Sequence, residues 1–223
     1  MRVKKIWHQN SLSIVLFGLF LLTFIGGQIH FGHQEYNSER QSHGLPAIGS
    51  LQYLGSAHFL EVTMENWESE FLQMGVYVVL TAFLYQKGSS ESKSPGEPEA
   101  VDRDPRRFKN KKDAPWPVKR GGIILRLYEN SLSLAFLALF LGAFIPHAIG
   151  GRANYNEEQL LHGEPGVTLL GYLGSDRFWF ESFQNWQSEF LAIGSMVVLS
   201  IFLRQRGSPE SKPVDSPHWQ TGE

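Results

Sequence analysis

The sequence predicts an all-α integral membrane protein with four transmembrane helices, which arise from a tandem, parallel duplication of a two-helix unit. Three observations support this prediction. The hydrophobic residues, 42% of the chain, are concentrated in four dense runs. The second half of the chain repeats the first at a spacing of about 120 residues. Lys and Arg flank the runs in an alternating pattern that is typical of membrane proteins.

The four apolar runs predict the transmembrane helices. The runs at 12–29 and 132–149 each cross most of a hydrocarbon core of roughly 30 Å, at about 1.5 Å per residue. The runs at 71–84 and 190–203 are shorter and require helices that begin earlier. A soluble four-helix bundle would show a polar stripe on each helix, whereas these runs are apolar on every face. A secretory signal is the other interpretation of the first run, but no small-residue cleavage site follows it cleanly. We expect spans at about 12–31, 65–86, 130–150 and 184–205.

The repeat is strongest in one block. Asn66-Trp-Glu-Ser-Glu-Phe-Leu72 aligns with Asn185-Trp-Gln-Ser-Glu-Phe-Leu191, and the motifs Tyr-Asn, His-Gly-x-Pro and Tyr-Leu-Gly-Ser also recur. The alignment needs a one-residue gap, because Phe24-Ile25 matches Phe144-Ile145 whereas Tyr36 matches Tyr155. We predict a first unit at 1–93, a linker at 94–121, a second unit at 122–206 and a tail at 207–223.

The distribution of cations predicts the orientation of the spans. Cations precede the first predicted span, fill the linker and end the last span, while the two loops between paired spans carry mostly acidic residues. By the positive-inside rule, both termini and the linker lie in the cytoplasm. Two spans per unit give both units the same orientation, so we expect a four-helix bundle with a pseudo-two-fold axis along the membrane normal. The same surfaces could instead form a homo-oligomer. The linker and the tail, rich in Ser, Pro and charge, are predicted to be disordered.

Composition and motifs exclude or disfavour several classes of chemistry. The chain has no cysteine, which excludes disulfides, thiolate catalysis, cysteine-ligated zinc and iron–sulfur clusters. No Gly-rich phosphate loop and no Ser/His/Asp arrangement stands out, and no span carries the Glu-x-x-His motif of a di-iron site. An enzyme is therefore the weaker class, and no cofactor, metal or nucleic-acid partner is predicted.

The strongest candidate site is the pair Glu70 and Glu189, because an acid beside a membrane span is costly unless it faces a partner or water. Both stand one residue before an apolar run, and the two carboxyl groups could approach each other across the axis to bind a proton or a cation. Alternatively, each Glu is solvated at the interface or fixes a loop. The same blocks supply the other candidate residues of this polar site, which are Asn66, Asn185, Trp67, Trp186, Ser69 and Ser188. The tryptophans are also typical interfacial anchors.

A second candidate site lies in the outer loops. Its residues belong to motifs that recur in both halves; they are Tyr36, Tyr155, His43 and His162. The His-Gly-x-Pro motifs are also typical of turns. A metal role for the two histidines would need further ligands, such as Glu39 and Glu158, so no metal is predicted.

The recurring Asn-Trp-x-Ser-Glu-Phe-Leu blocks, together with the Tyr-Asn, His-Gly-x-Pro and Tyr-Leu-Gly-Ser motifs, resemble an uncharacterised family of bacterial membrane proteins that is described only as a domain of unknown function. The resemblance covers both units, which is nearly the whole chain outside the linker and the tail. It implies a multi-pass location in the bacterial inner membrane. Because it brings no known activity, no functional residue is carried over from it.

We expect a function in small-solute or ion passage, or in a membrane assembly, with Glu70 and Glu189 as the site and the lipid bilayer as the partner. One alternative is a structural or envelope-stress protein that binds partners through its outer loops. Another is a redox protein that holds haem between spans. The repeat does not reproduce the histidines that could bind haem, which are His30, His33 and His147.

Overall fold

The computed structural model of the chain describes residues 2–96 and 98–222, and the regular structure in this part is helical, without strands. Its α-helices are α1 (Arg2–Thr23), α2 (Gly32–Ser42), α3 (Ser50–Leu54), α4 (Ala57–Phe83), α5 (Trp116–Arg120), α6 (Gly122–Glu129), α7 (Ser131–Leu161), α8 (Leu169–Leu173) and α9 (Asp176–Phe202). A π-helical turn, Phe24–Phe31, joins α1 to α2, and two short 3-10 helices, Ala100–Asp102 and Pro105–Phe108, follow α4.

Two helical stretches are long and apolar enough to cross a membrane, Lys5–Ser42 and Ser131–Leu161. The predicted spans at 12–31 and 130–150 lie in these stretches, except for residue 130. Helices α4 and α9 have 27 residues each, which is about 40 Å at 1.5 Å per residue. Both are more polar than the first two stretches, because acidic residues lie in their first halves.

Helices α4 and α9 end a few residues before the ends predicted for the second and fourth spans. The chain leaves each helix in the same way. The backbone N–H of Gln86 donates to the Ser92 hydroxyl at 2.8 Å, and the backbone N–H of Gln205 donates to the Ser211 hydroxyl at 2.9 Å. These bonds replace a helical hydrogen bond and turn the chain back towards the helix that it has just left.

The π-helical turn lies where the alignment of the two halves requires its gap. The extra residue of the first half falls between Ile25 and Tyr36, and the turn occupies Phe24–Phe31. The aligned stretch of α7 is α-helical. A π turn closes its hydrogen bonds over one residue more than an α turn. It therefore absorbs the extra residue and lets the following residues take positions equivalent to those in α7.

The chain forms two compact units, each of which includes residues from both halves of the sequence. The first contains the described residues up to Glu65 and Phe144–Trp179, and the second contains Asn66–Ala143 and the described residues from Phe180 onwards. They are described separately below.

Two tyrosines form the centre of the first unit. Tyr53 and Tyr172 are fully buried, and each packs edge to face against a phenylalanine of the following long helix. The ring centroids are 5.3 Å apart for Tyr53 and Phe59 and 5.5 Å apart for Tyr172 and Phe178. Aligned positions thus make the same aromatic contact.

The Tyr-Asn and His-Gly-x-Pro motifs of the first unit build the same turn twice. The Asn37 side chain accepts a hydrogen bond from the backbone N–H of Ile48 at 2.8 Å and donates to the Ile48 carbonyl at 3.0 Å. Asn156 makes the same two bonds to Val167, at 2.7 Å and 3.1 Å. The glycine of each motif has a positive φ, 74° and 76°, which only glycine adopts at little cost.

The second unit includes the segments that follow α4 and α9. The hydroxyls of Ser89 and Ser200 share a buried hydrogen bond of 2.9 Å. Lys212 is 2% exposed, and its ammonium group donates to the backbone carbonyls of Gly88 and His218. In the predicted linker and tail, the described residues form turns, the two 3-10 helices and α5, with mainly local hydrogen bonds. Such bonds need no apolar period, which is the signal on which the prediction of disorder relied.

Candidate functional site

Glu70 and Glu189 lie together in the second unit. Their carboxyl groups lie close enough for their charges to interact; Glu70 is exposed and Glu189 is half-buried. Gln73 fixes α4 against α9 beside the pair, because its side-chain amide donates to the backbone carbonyl of Glu189 at 2.8 Å. The two carboxyl groups are therefore positioned by helices and not by a loop.

This arrangement limits what the pair can hold. Two neighbouring carboxylates repel each other, so they are more stable together when one is protonated or when a cation lies between them. Within the described side chains, neither Glu70 nor Glu189 forms an ion pair with Lys or Arg. The charge of the pair is thus available to a proton or a small cation from outside the chain.

The other residues of the predicted polar site have different surroundings. Each serine of the block bonds to its own helix, since the Ser69 hydroxyl donates to the Asn66 carbonyl and the Ser188 hydroxyl donates to the Asn185 carbonyl, both at 2.8 Å. Both tryptophans of the block, Trp67 and Trp186, are half-buried. The serines therefore satisfy backbone groups of their own helix, whereas Gln73 bonds to the other helix.

Glu68 is a buried carboxyl in the second unit that the sequence analysis missed. It is 0% exposed and accepts a hydrogen bond from the Ser182 hydroxyl at 3.1 Å. Glu68 occupies the variable position of the Asn-Trp-x-Ser-Glu block, where the second half has Gln187. The requirement that both halves carry the same residue removed it from the candidates. The cost of burying a carboxyl group in a helix of this kind is the signal that could have identified it.

The first unit contains a cleft that brings together three of the four predicted loop residues. Tyr36, His43 and His162 line this cleft, which has a volume of about 730 Å³. The fourth residue, Tyr155, packs against Tyr172 with ring centroids 5.9 Å apart. Charged side chains also line the cleft; they are Glu39, Arg40, Glu157, Glu158 and Arg177.

The cleft also contains a pair of imidazole rings and an ion pair. The rings of His43 and His162 meet edge to face with their centroids 6.3 Å apart. Arg177 forms an ion pair with Glu158 at 3.5 Å. Because imidazole, carboxylate and guanidinium groups surround one space, the cleft can accept a polar or charged ligand.

The three histidines of the haem hypothesis lie in the first unit and make contacts within it. The His33 Nε2 atom lies 2.7 Å from the Ile48 carbonyl oxygen. His147 is fully buried and stacks on Phe178 with ring centroids 5.1 Å apart. The exposed His30 lies beside Gln34, at 3.2 Å between side-chain nitrogens. Each ring is thus engaged in packing or hydrogen bonding.

A family described as a domain of unknown function, DUF6766, matches residues 3–223. No curated protein and no solved structure matches the chain significantly.

Proposed function

We propose that this chain, which belongs to the DUF6766 family of unknown function, is a four-span protein of the bacterial inner membrane. It binds a proton or a small cation at Glu70 and Glu189 and conducts the bound ion through the protein. The proximity of the two carboxyl groups, beside the hydrogen bond with which Gln73 joins α4 to α9, carries the proposal. Both termini and the linker lie in the cytoplasm, as the positions of the cations indicate.

Equivalent contacts at aligned positions support an origin by tandem duplication. The Tyr–Phe pairs of the first unit and its two Asn-bonded turns have the same partners at aligned positions, within a few tenths of an ångström. A parallel duplication of a two-helix unit gives four spans. Helices α1 and α7 then supply the two most apolar spans, and α4 and α9 supply the two spans that carry the polar residues.

The polar residues of α4 and α9 suit passage better than anchoring. A carboxyl group within a membrane span is expensive, and such groups typically mark ion sites and proton relays. The second unit has the paired carboxyl groups of Glu70 and Glu189 and also the buried carboxyl group of Glu68 with the Ser182 hydroxyl. Carboxyl and hydroxyl groups of this kind can accept and release a proton in turn.

Flux through reconstituted protein tests the proposal. The wild-type chain would be placed in liposomes that contain a pH-sensitive dye, and proton entry would be driven by a potassium diffusion potential, with sodium gradients as a second probe. We expect entry above that of protein-free liposomes, and a decrease of at least about tenfold, equivalent to about 1.4 kcal/mol, in Glu189→Gln and in Glu70→Gln/Glu189→Gln. Glu164→Gln, which removes an exposed loop carboxyl group, is the matched control and should conduct like the wild type. Equal flux in the wild type, the double variant and empty liposomes would overturn the proposal, as would unchanged flux in the double variant.

A second candidate function is partner binding by the outer loops, and the charged cleft of the first unit favours it. The cleft combines the Arg177–Glu158 ion pair with the two histidine rings. Photo-crosslinking from Leu160, which lines the cleft and is exposed, would capture a partner from the cell envelope. Capture of other copies of the chain alone would contradict an envelope partner and favour self-assembly.

A further inference from the structure

The two histidines of the cleft in the first unit are held in the same way. The Nδ1 atom of His43 lies 3.0 Å from the backbone carbonyl oxygen of Glu39, and the Nδ1 atom of His162 lies 2.8 Å from the carbonyl oxygen of Glu158. A carbonyl oxygen only accepts hydrogen bonds, so Nδ1 carries the proton in each ring. In the neutral imidazole, Nε2 then has a free lone pair.

This arrangement is the one that metal-binding histidines adopt. A histidine ligand usually donates its other ring N–H to a carbonyl or carboxylate, which fixes the tautomer and the direction of the ring. The Nε2 atoms of His43 and His162 make no hydrogen bond to the described residues. Both rings are therefore oriented by a backbone carbonyl at the end of a helix. Each ring keeps one nitrogen, Nε2, whose lone pair can bind a metal ion.

The separation of the rings suits one shared ion. Zinc–nitrogen bonds are about 2.0–2.1 Å long, which places the centroids of two imidazoles on one ion roughly 5–6 Å apart. The observed separation is 6.3 Å, a few tenths of an ångström above this range. The edge-to-face angle of 79° also keeps the two rings from stacking on each other.

Carboxylates surround the pair without completing the site. Glu39, Glu157 and Glu158 line the same cleft, and Arg40 and Arg177 also line it. Three carboxylates against two guanidinium groups leave one negative charge, which favours a cation. Within the described part of the chain, no three or more His, Asp or Glu side chains are gathered so that they could hold one ion. The two imidazoles would thus be the only fixed ligands, and water or a ligand from outside the chain would fill the remaining positions.

We propose that His43 and His162 form a two-histidine site for a divalent transition-metal ion of the zinc or copper type. Imidazole nitrogen suits these ions, and copper(II) binds most tightly among the divalent first-row metals. The site would lie in the outer loops, apart from the carboxyl pair of the second unit, and it does not depend on proton or cation passage.

Copper(II) titration of the full chain tests the proposal. The protein would be purified in detergent without a histidine tag, treated with a chelator and titrated with copper(II), and the bound ion would be examined by electron paramagnetic resonance. We expect one tightly bound ion per chain, with hyperfine coupling to two imidazole nitrogens. In His43→Gln and in His162→Gln the coupling should fall to one nitrogen, and the affinity should fall by at least about tenfold. The amount of zinc that stays bound after gel filtration, measured by mass spectrometry, should likewise be lower in both single variants than in the wild type.

His30→Gln is the matched control because it removes an exposed histidine outside the cleft. It should bind copper like the wild type. Thermal unfolding of each variant, followed by circular dichroism, separates the loss of a ligand from the loss of the fold, and the two single variants provide independent evidence. Unchanged copper binding in the His43→Gln/His162→Gln double variant, an equal loss in His30→Gln, or no copper bound by the wild type would each overturn the site.

Discussion

Gly151 lies directly beneath the hydroxyl of Tyr172. A Cβ atom at position 151 would overlap with this hydroxyl and come within 2.9 Å of two ring carbons. Gly32 has the same relationship to Tyr53, whose hydroxyl would lie 2.5 Å from an added Cβ. Because both tyrosines are fully buried, neither ring can move aside. The two glycines therefore determine how closely α2 and α7 approach the short helices that carry the tyrosines.

Gly151→Ala and Gly32→Ala should each destabilise the protein by about 1–3 kcal/mol, the usual cost of overpacking a filled core. The thermal unfolding midpoint in detergent, followed by circular dichroism, measures this effect. Gly142→Ala in α7 is the control, because an added Cβ there meets nothing within 4 Å and alanine favours the helix by up to about 1 kcal/mol. If the core variants melted like Gly142→Ala, the close contacts would not be tight in solution.

The π-helical turn predicts that the two halves respond differently to the deletion of one residue. Gly27 lies in the turn, and a Cβ added there would have no neighbour within 4 Å. Deletion of Gly27 should convert the turn into α-helix and preserve the fold, because it removes the extra residue of the first half. Deletion of Ile145 from α7 should lower the unfolding midpoint strongly, since α7 has no π turn to release and each residue removed rotates the rest of an α-helix by about 100°. Equal loss of stability in both deletion variants would contradict this account of the turn.

His58 should make the stability of the protein depend on pH. Its ring stacks on Tyr36 with centroids 4.7 Å apart and lies 6.2 Å from the ring of Tyr53. Burial lowers the pKa of His58 from its ordinary value of 6.5, and the nearby Glu39 carboxylate only partly opposes this. The unfolded chain therefore takes up a proton at a higher pH than the folded chain does. Stability should be complete above pH 6.5 and should decrease as the pH falls towards the folded-state pKa.

Unfolding midpoints measured between about pH 7.5 and about pH 5 test this dependence. The difference between the wild type and His58→Gln isolates the contribution of this residue, because all other histidines are retained. The slope with pH should be shallower in His58→Gln and unchanged in His30→Gln, whose ring is exposed. A slope that is the same in all three proteins would rule out His58 as its source.

The sequence allowed prediction of those features that depend on local composition. The two most apolar helices lie where the runs at 12–29 and 132–149 placed them, because a long apolar run must form a helix to satisfy its backbone in lipid. The pairing of Glu70 with Glu189 was predicted from their equal positions in the repeat and stays a prediction. Glu68 was missed because it interrupts the repeat.

Features that depend on packing between distant residues could not be predicted. The edge-to-face contact of His43 with His162 requires two loops to meet, and no motif of either loop encodes the other. The burial of Lys212 among backbone carbonyls likewise depends on where the tail lies. In the tail, the composition rich in Ser, Pro and charge predicted disorder, so the turns that its residues form were not expected.

Single cysteines can determine whether the chain has four spans, because the sequence has no native cysteine. The exposed positions Ser50, Asn110, Glu164 and Asp215 lie, respectively, in the loop after the first predicted span, in the linker, in the loop after the third predicted span and in the tail. In intact cells, a membrane-impermeant thiol reagent should label Ser50→Cys and Glu164→Cys, and it should label Asn110→Cys and Asp215→Cys only after lysis. If only the stretches Lys5–Ser42 and Ser131–Leu161 crossed the membrane, Ser50→Cys and Asn110→Cys would react alike, and so would Glu164→Cys and Asp215→Cys. The labelling pattern of the four variants therefore shows whether α4 and α9 cross the bilayer or lie outside it. Only if they cross the bilayer does the Glu70–Glu189 pair lie within the membrane.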